Sequence, residues 1–225
     1  MKVVANYSDY WMRYADGQGP VLTLDTNGGP NKREQFSLLK AAGFLTPPVG
    51  PVEEVLGTYW EEEKCWVKAV VAYTDEMSHC GEGKELWWKQ CSALNIQSKM
   101  GYDEGNEKAY KNHKVFCSAF VENPYAQKGC SIRRLQIGPH CFWIEYRSDT
   151  DWRSNVGEGD TFVIGVDFDS KDNPFGNSYP LWAVDFVLGK EMFAIDLNTA
   201  AGIGHTLNKY ISNEEICRVI ESCVK

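Results

Sequence analysis

Short apolar runs separated by glycine, asparagine and proline clusters dominate this chain, and a helical period emerges at two places. The first follows Asn31, a residue suited to capping a helix N-terminus. Phe36, Leu39 and Ala42 then fall on one stripe, and Gly43 stops the helix ahead of Pro47-Pro48. The second is a closing helix at about 212–224, with Ser212 at its start and Ile216, Val219, Ile220 and Cys223 on one side. Between them lie β-rich segments at 66–73, 115–121, 132–137, 141–147 and 161–167, after an earlier strand-like run at 21–24. His79 to Lys84 forms a polar, glycine-containing turn, and residues 95–114 are polar enough to be a mobile loop or lid. The charged stretch 149–159 reads as a loop, and 167–177 is turn chemistry throughout. The order predicts an α+β fold in which antiparallel sheet predominates. No internal repeat or low-complexity segment is present.

Residues 184–198 carry the densest chemistry. Two apolar runs flank Gly189-Lys190, a plausible two-residue hairpin loop. That loop would pair Asp196 with Ala183, and period two would put Asp185 and Asn198 on the same face. Two carboxylates and an amide oxygen are hard ligands, suited to a Mg²⁺ ion that also holds phosphate oxygens. The alternative is a solvated polar face on an edge hairpin, and a three-residue loop would break the shared face.

With 225 residues, 43% hydrophobic and 13% aromatic, the chain can bury a sizeable core as one unit or two small lobes. The formal charge of −8 argues against a general nucleic-acid or anionic-membrane surface. The N-terminus lacks the apolar core of a signal peptide and no run approaches transmembrane length. The eight cysteines include no CxxC pair, so free thiols are expected rather than a disulfide framework or zinc site, with the cytoplasm as the default compartment.

Three further clusters suit a nucleotide. Lys68 precedes the glycine turn containing Gly81 and Gly83, where backbone N–H groups can approach phosphate oxygens; the alternative is an ordinary hairpin turn. Arg133 in GCSIRRL, and Arg147, Arg153 and Asn155 in EYRSDTDWRSN, sit on or beside consecutive strands. There they can converge on a transferring phosphoryl group, although one of each adjacent arginine pair can be a surface charge.

Taken together, "GCSIRRLQIG … EYRSDTDWRSN … WAVDFVLGKEMFAIDLNTAAG" resembles the core of the ATP-grasp carboxylate–amine ligases, above all the ribosomal-protein-modifying glutamate ligases. The helix from Asn31-Lys32-Arg33 to Pro47, and WVKA followed by HCGEGKEL, extend the resemblance upstream. It implies two lobes grasping ATP: residues 31–115 with the lysines and glycine loop, and 116–225 with the arginines and metal, after a short extension at 1–30. It implies further that Lys32 and Lys68 contact the α- and β-phosphates under the Gly81–Gly83 loop. The backbone of Phe116, Cys117, Ser118, Ala119, Phe120 and Val121 would read adenine, and Glu122 the ribose. Arg133, Arg147, Arg153 and Asn155 would stabilise the transferring phosphoryl group, and Asp185, Asp196 and Asn198 would bind Mg²⁺.

The implied reaction activates a carboxylate as an acyl phosphate, which an amine converts to an amide. The family's usual N-terminal domain has no counterpart in the first thirty residues, so a peptide or protein substrate, or a partner chain completing the acceptor site, is expected. Asp196 stands where glutamate is usual. Other readings are a nucleotide-binding regulatory module without turnover, a kinase-like activity, and a structural Ca²⁺ protein.

Overall fold

A computed structural model describes residues 3–5, 21–23, 30–73, 84–88, 116–124, 129–175, 179–199, 201 and 205–223. Strands β1 (Val3–Ala5) and β2 (Val21–Thr23) pair in parallel ahead of helix α1 (Lys32–Ala41). Next come β3 (Val49–Pro51), the single turn α2 (Val52–Val55), β4 (Tyr59–Trp60), β5 (Cys65–Trp66), β6 (Ala69–Tyr73), β7 (Lys84–Trp88) and β8 (Phe116–Ala119). The chain continues through β9 (Cys130–Ile137), β10 (His140–Ser148), β11 (Gly159–Asp167), β12 (Leu181–Leu188) and β13 (Met192–Asn198) to α3 (Asn213–Cys223). Among the described residues, no helix is long and apolar enough to cross a membrane.

Both expected helices start at their caps. Asn31 accepts from the Glu34 N–H at 3.0 Å and Glu34 returns the bond to the Asn31 N–H at 2.9 Å, a capping box that satisfies two otherwise orphaned donors. Gly43, at φ +82°, takes the left-handed conformation that ends α1 at low cost. At α3, Ser212 accepts from the Glu215 N–H.

Two antiparallel sheets face each other. The larger has the order β11-β10-β9-β12-β13, and the smaller β3-β8-β6-β7. The expected run at 66–73 divides: β5 pairs with β4, and β6 with β7 and β8, leaving Lys68 at the break. Phe116–Ala119, expected at the start of the second lobe, pairs with β3 and β6 and so lies in the smaller sheet.

The larger sheet buries both faces. Leu135, Ile137, Phe142 and Leu181 pack under Ile216 and Ile220 of α3. Trp182, Val184 and Leu197 on the other face meet Phe36 and Leu39 of α1, whose burial stabilises by about 1.5–3 kcal/mol each.

The β12–β13 hairpin departs from expectation in register. Its loop has three residues, Gly189, Lys190 and Glu191, closing on a Leu188–Met192 pair. A bulge at Ile195 then adds a second one-residue shift, so Asp196 pairs with Asp185 and Asn198 with Ala183. The two shifts together restore the shared face that the loop alone would have destroyed. A distant contact accompanies the loop: Glu63, at the β4–β5 turn, accepts from the Lys190 N–H at 3.1 Å.

Candidate active site

A cavity of about 260 Å³ opens between the two sheets. Its apolar walls come from both: Val71 and Tyr73 of β6 on one side, Val187 and Ile195 of the hairpin on the other. Ala119 at the end of β8 and the following Phe120, Val121 and Asn123 close one flank. A second, polar flank is built by Ser131, Arg133 and Tyr146 together with the loop residues Arg153, Ser154 and Asn155. The hairpin contributes Asp185, Asp196 and Asn198, and Lys84 of β7 reaches in from the smaller sheet. An apolar slot that grades into a charged floor suits an amphiphilic anion, with a flat ring at one end and oxyanions at the other.

Each carboxylate on the floor faces cations. Arg133 donates from Nε and Nη2 to the two oxygens of Asp185, at 2.6 and 2.8 Å, and its guanidinium lies 5.2 Å from the Tyr146 ring centre. Burial opposes charge on Arg133, but Asp185 overrides it and holds the guanidinium firmly protonated. Asp196 bonds Lys32 through Oδ1 and has the Lys84 ammonium 3.6 Å from Oδ2. Burial alone would raise its pKa; the two ammonium charges and the Lys32 bond hold it well below the usual carboxylate range. For Lys32 burial wins over its partner, and its pKa falls to about 8.

Among the described residues, no group of three or more His, Cys, Asp or Glu side chains converges on one point. A cation there would have Asp185, Asp196 and the Asn198 amide as its donors. Directly opposed carboxylates repel across a ladder, and the surrounding lysines and arginine offset that repulsion here. The oxygen-only set fits a hard ion such as Mg²⁺ accompanied by phosphate oxygens.

No family model matches the chain, and no curated protein matches it. Solved structures do. The ATP-grasp ligase PsnB complexed with minimal precursor, Mg and ADP aligns at a TM-score of 0.56 and 15% identity, over 96% of this chain and 64% of PsnB. PsnB with a phosphomimetic variant of the minimal precursor, Mg and ADP gives 0.53 and 14% identity, over 87% and 59%. With precursor peptide PsnA2 and AMPPNP it gives 0.51 and 13%, over 95% and 64%. The fold is that of the ATP-grasp ligases. The chain spans less than two thirds of PsnB's length in all three.

Within this ATP-grasp fold the expected site residues divide. Arg133, Arg153, Asn155, Asp185, Asp196 and Asn198 come together around the cavity, as do Ser118, Ala119, Phe120 and Val121. Phe116 is buried beside Phe36 and Tyr73 and does not line the cavity. Glu122 is exposed outside it, and the next residue, Asn123, faces in. Lys32 is fully buried behind Asp196, and Lys68 is exposed away from the cavity. Gly81 and Gly83 lie outside the described residues.

Arg147 requires correction. It is the register partner of Cys130, one place along the strand from Tyr146, so it projects from the face opposite the cavity. There it is 57% exposed and pairs with Glu145 at 2.9 Å. The signal was present in the alternation Phe142, Ile144, Tyr146, which sends Tyr146 to the cavity face and Arg147 away. Lys84, to which the sequence assigns no role of its own, is the first residue of β7 and shares a face with the buried Leu86.

Proposed function

We propose that this chain binds ATP with Mg²⁺ between its two sheets and catalyses ADP-forming ligation of a carboxylate to an amine. The observation that carries this reading is the gathering of Asp185, Asp196 and Asn198 with Arg133, Lys84 and Arg153 around one cavity that also has an apolar slot. Adenine fits the slot between Val71 on one sheet and Val187 and Ile195 on the other, with the backbone at 118–121 along its edge. The polyphosphate then extends over Lys84 toward Arg133.

A substrate carboxylate attacks the γ-phosphorus, giving an acyl phosphate and ADP. The amine attacks the acyl carbon, forming the amide and expelling inorganic phosphate, while the amine proton passes to solvent or a neighbouring base. Bound Mg²⁺ would neutralise charge on the transferring group, held by Asp185, Asp196 and Asn198. Arg133 and Arg153 supply fixed positive charge where the equatorial oxygens gather it. Arg153 is pre-aligned: Asp151 accepts from its Nε and Nη2 at 2.9 and 2.8 Å, and its guanidinium lies 5.6 Å from the Trp152 ring centre. Ser131 and Ser154, hydrogen-bonded to each other on the same flank, are placed to orient the acceptor. The PsnB complex with precursor peptide PsnA2 supports a peptide as one of the substrates.

Calorimetric titration of AMPPNP with Mg²⁺ tests the binding half. The Asp196→Ala/Asn198→Ala pair should weaken binding at least about tenfold, the usual loss when charge-assisted contacts are removed. ADP release on a panel of carboxylate and peptide substrates, with product mass, tests the ligation half. No nucleotide binding by wild type would overturn the proposal. Binding without turnover on any pairing would reduce it to a nucleotide-binding module.

A further inference from the structure

Two lysines reach Asp196 from opposite directions. Lys84 lies in the cavity wall, with its ammonium near Oδ2. Lys32 occupies the first position of α1, has no exposed surface and takes no part in the cavity wall. It bonds Oδ1 of Asp196 and donates to Gln35 Oε1 at 3.0 Å, with the Tyr73 ring centre 5.4 Å away. A lysine this deeply enclosed is rare, because its charge must be matched in full by buried acceptors.

Those acceptors are themselves held. Gln35 donates to the Pro30 carbonyl at 2.9 Å, and its Oε1 also accepts from the Leu197 N–H at 3.3 Å, next door to Asp196. The Asn31–Glu34 capping box fixes the start of α1 that carries both side chains. The need for such a brace follows from the hairpin. The bulge at Ile195 immediately precedes Asp196, and a bulge interrupts the ladder that would otherwise aim the next side chain.

We infer that Lys32 is a positioning residue: braced by Gln35, it turns one oxygen of Asp196 into the helix and leaves the other facing the cavity, while Lys84 is the lysine that meets the ligand's phosphates. This division of labour rests on the nucleotide-binding reading above, and it differs from the resemblance, which places Lys32 itself on the phosphates.

The test is ADP affinity by calorimetry, in excess Mg²⁺ and again in EDTA, for wild type, Lys32→Met, Gln35→Leu and Lys84→Met. Lys84→Met should weaken ADP about tenfold or more in both conditions, as loss of a charge-assisted contact does. Lys32→Met should leave affinity in EDTA within about twofold and cut the enhancement by Mg²⁺ about tenfold, the range for a group that orients a metal ligand. Gln35→Leu, which removes no charge, should show the same pattern more weakly and serves if Lys32→Met does not fold. Lys32→Met weakening ADP in EDTA as much as Lys84→Met would put Lys32 on the phosphates and overturn the inference. An unchanged Mg²⁺ enhancement in Lys32→Met, or in Gln35→Leu where Lys32→Met does not fold, would overturn it as well. Wild type that fails to bind ADP in either condition would instead remove the nucleotide reading, and this inference with it.

Discussion

Arg133 and Arg134 are neighbours in the chain and opposites in the fold. Arg133 pairs in register with Ile144 and Asp185, projects into the cavity and keeps 17% of its side chain exposed. Arg134 pairs in register with Trp143 and Val184 and projects from the other face. Its guanidinium lies 5.8 Å from the Trp143 ring centre and 5.1 Å from that of Trp182, bonded to Asp172 at 2.8 Å, and the residue is only 5% exposed. Residue type is the same and both side chains are largely enclosed, 17% and 7% exposed, so residue type and enclosure do not by themselves tell a cavity-facing arginine from a structural one. Strand face does: one arginine aims its charge into the cavity, the other fills the gap between two indoles.

The largest effect expected from this contrast is on turnover. Arg133→Met should cut the rate of ADP release by about a thousandfold or more, the scale for an arginine that stabilises transferring phosphate. It should leave the chain folded, as judged by its thermal melt. A loss of only a few fold would place the decisive charge elsewhere, with Arg153 the next candidate.

Arg134→Ala should do the reverse. Emptying the space between Trp143 and Trp182 should cost about 2–4 kcal/mol of stability while leaving ADP affinity unchanged. Arg134→Met should recover most of that loss. It keeps a long side chain between the rings and removes the buried Nε, which has no hydrogen-bond partner among the described residues. Urea unfolding of the two variants measures the difference. If Met proves as damaging as Ala, the bond to Asp172 matters more than the packing.

Acid titration probes the floor of the cavity more gently. Asp196 has a folded-state pKa below its ordinary 3.8, because the Lys32 and Lys84 charges outweigh the effect of burial. The unfolded chain therefore binds this proton more readily than the folded one. The stabilisation is present above about pH 4 and is lost as the pH falls toward the folded-state value. Unfolding midpoints between about pH 5 and pH 3 should fall less steeply in Asp196→Asn than in wild type. Equal slopes would mean that other carboxylates dominate the acid response.

What was legible in the sequence was local. Asn31, Glu34 and Gly43 specify the ends of α1 from within a dozen residues, and capping chemistry needs nothing from elsewhere. The acidic hairpin was visible too, with its two carboxylates, its amide and their shared face. Its register was not, since the three-residue loop sits against Glu63, 127 residues earlier, and the bulge at Ile195 has no marker of its own. The sheet membership of Phe116–Ala119 was hidden for the same reason, because its partners β3 and β6 are distant in the chain. Arg147 is a different case: the alternation through Phe142, Ile144 and Tyr146 already puts it on the other face of β10, where the structure has it paired with Glu145.

Arg147 therefore provides the weakest perturbation and the most direct check on the face rule. Its ion pair with Glu145 stands in solvent, and its guanidinium lies 5.5 Å from the centre of the half-exposed Phe162 ring. Exposed pairs of this kind contribute little, since water solvates both charges nearly as well as they solvate each other. Arg147→Ala should leave ADP affinity and turnover within about twofold of wild type, because a β-sheet lies between it and the cavity. A loss approaching that of Arg133→Met would mean that the strand turns over in solution, or that a substrate or partner wraps onto the outer face. Hydrogen exchange at 140–148 with and without ADP would separate the two. Ligand-induced loosening of the β9–β10 ladder would accompany the first, and protection confined to the Glu145–Arg147 face and added by peptide alone the second.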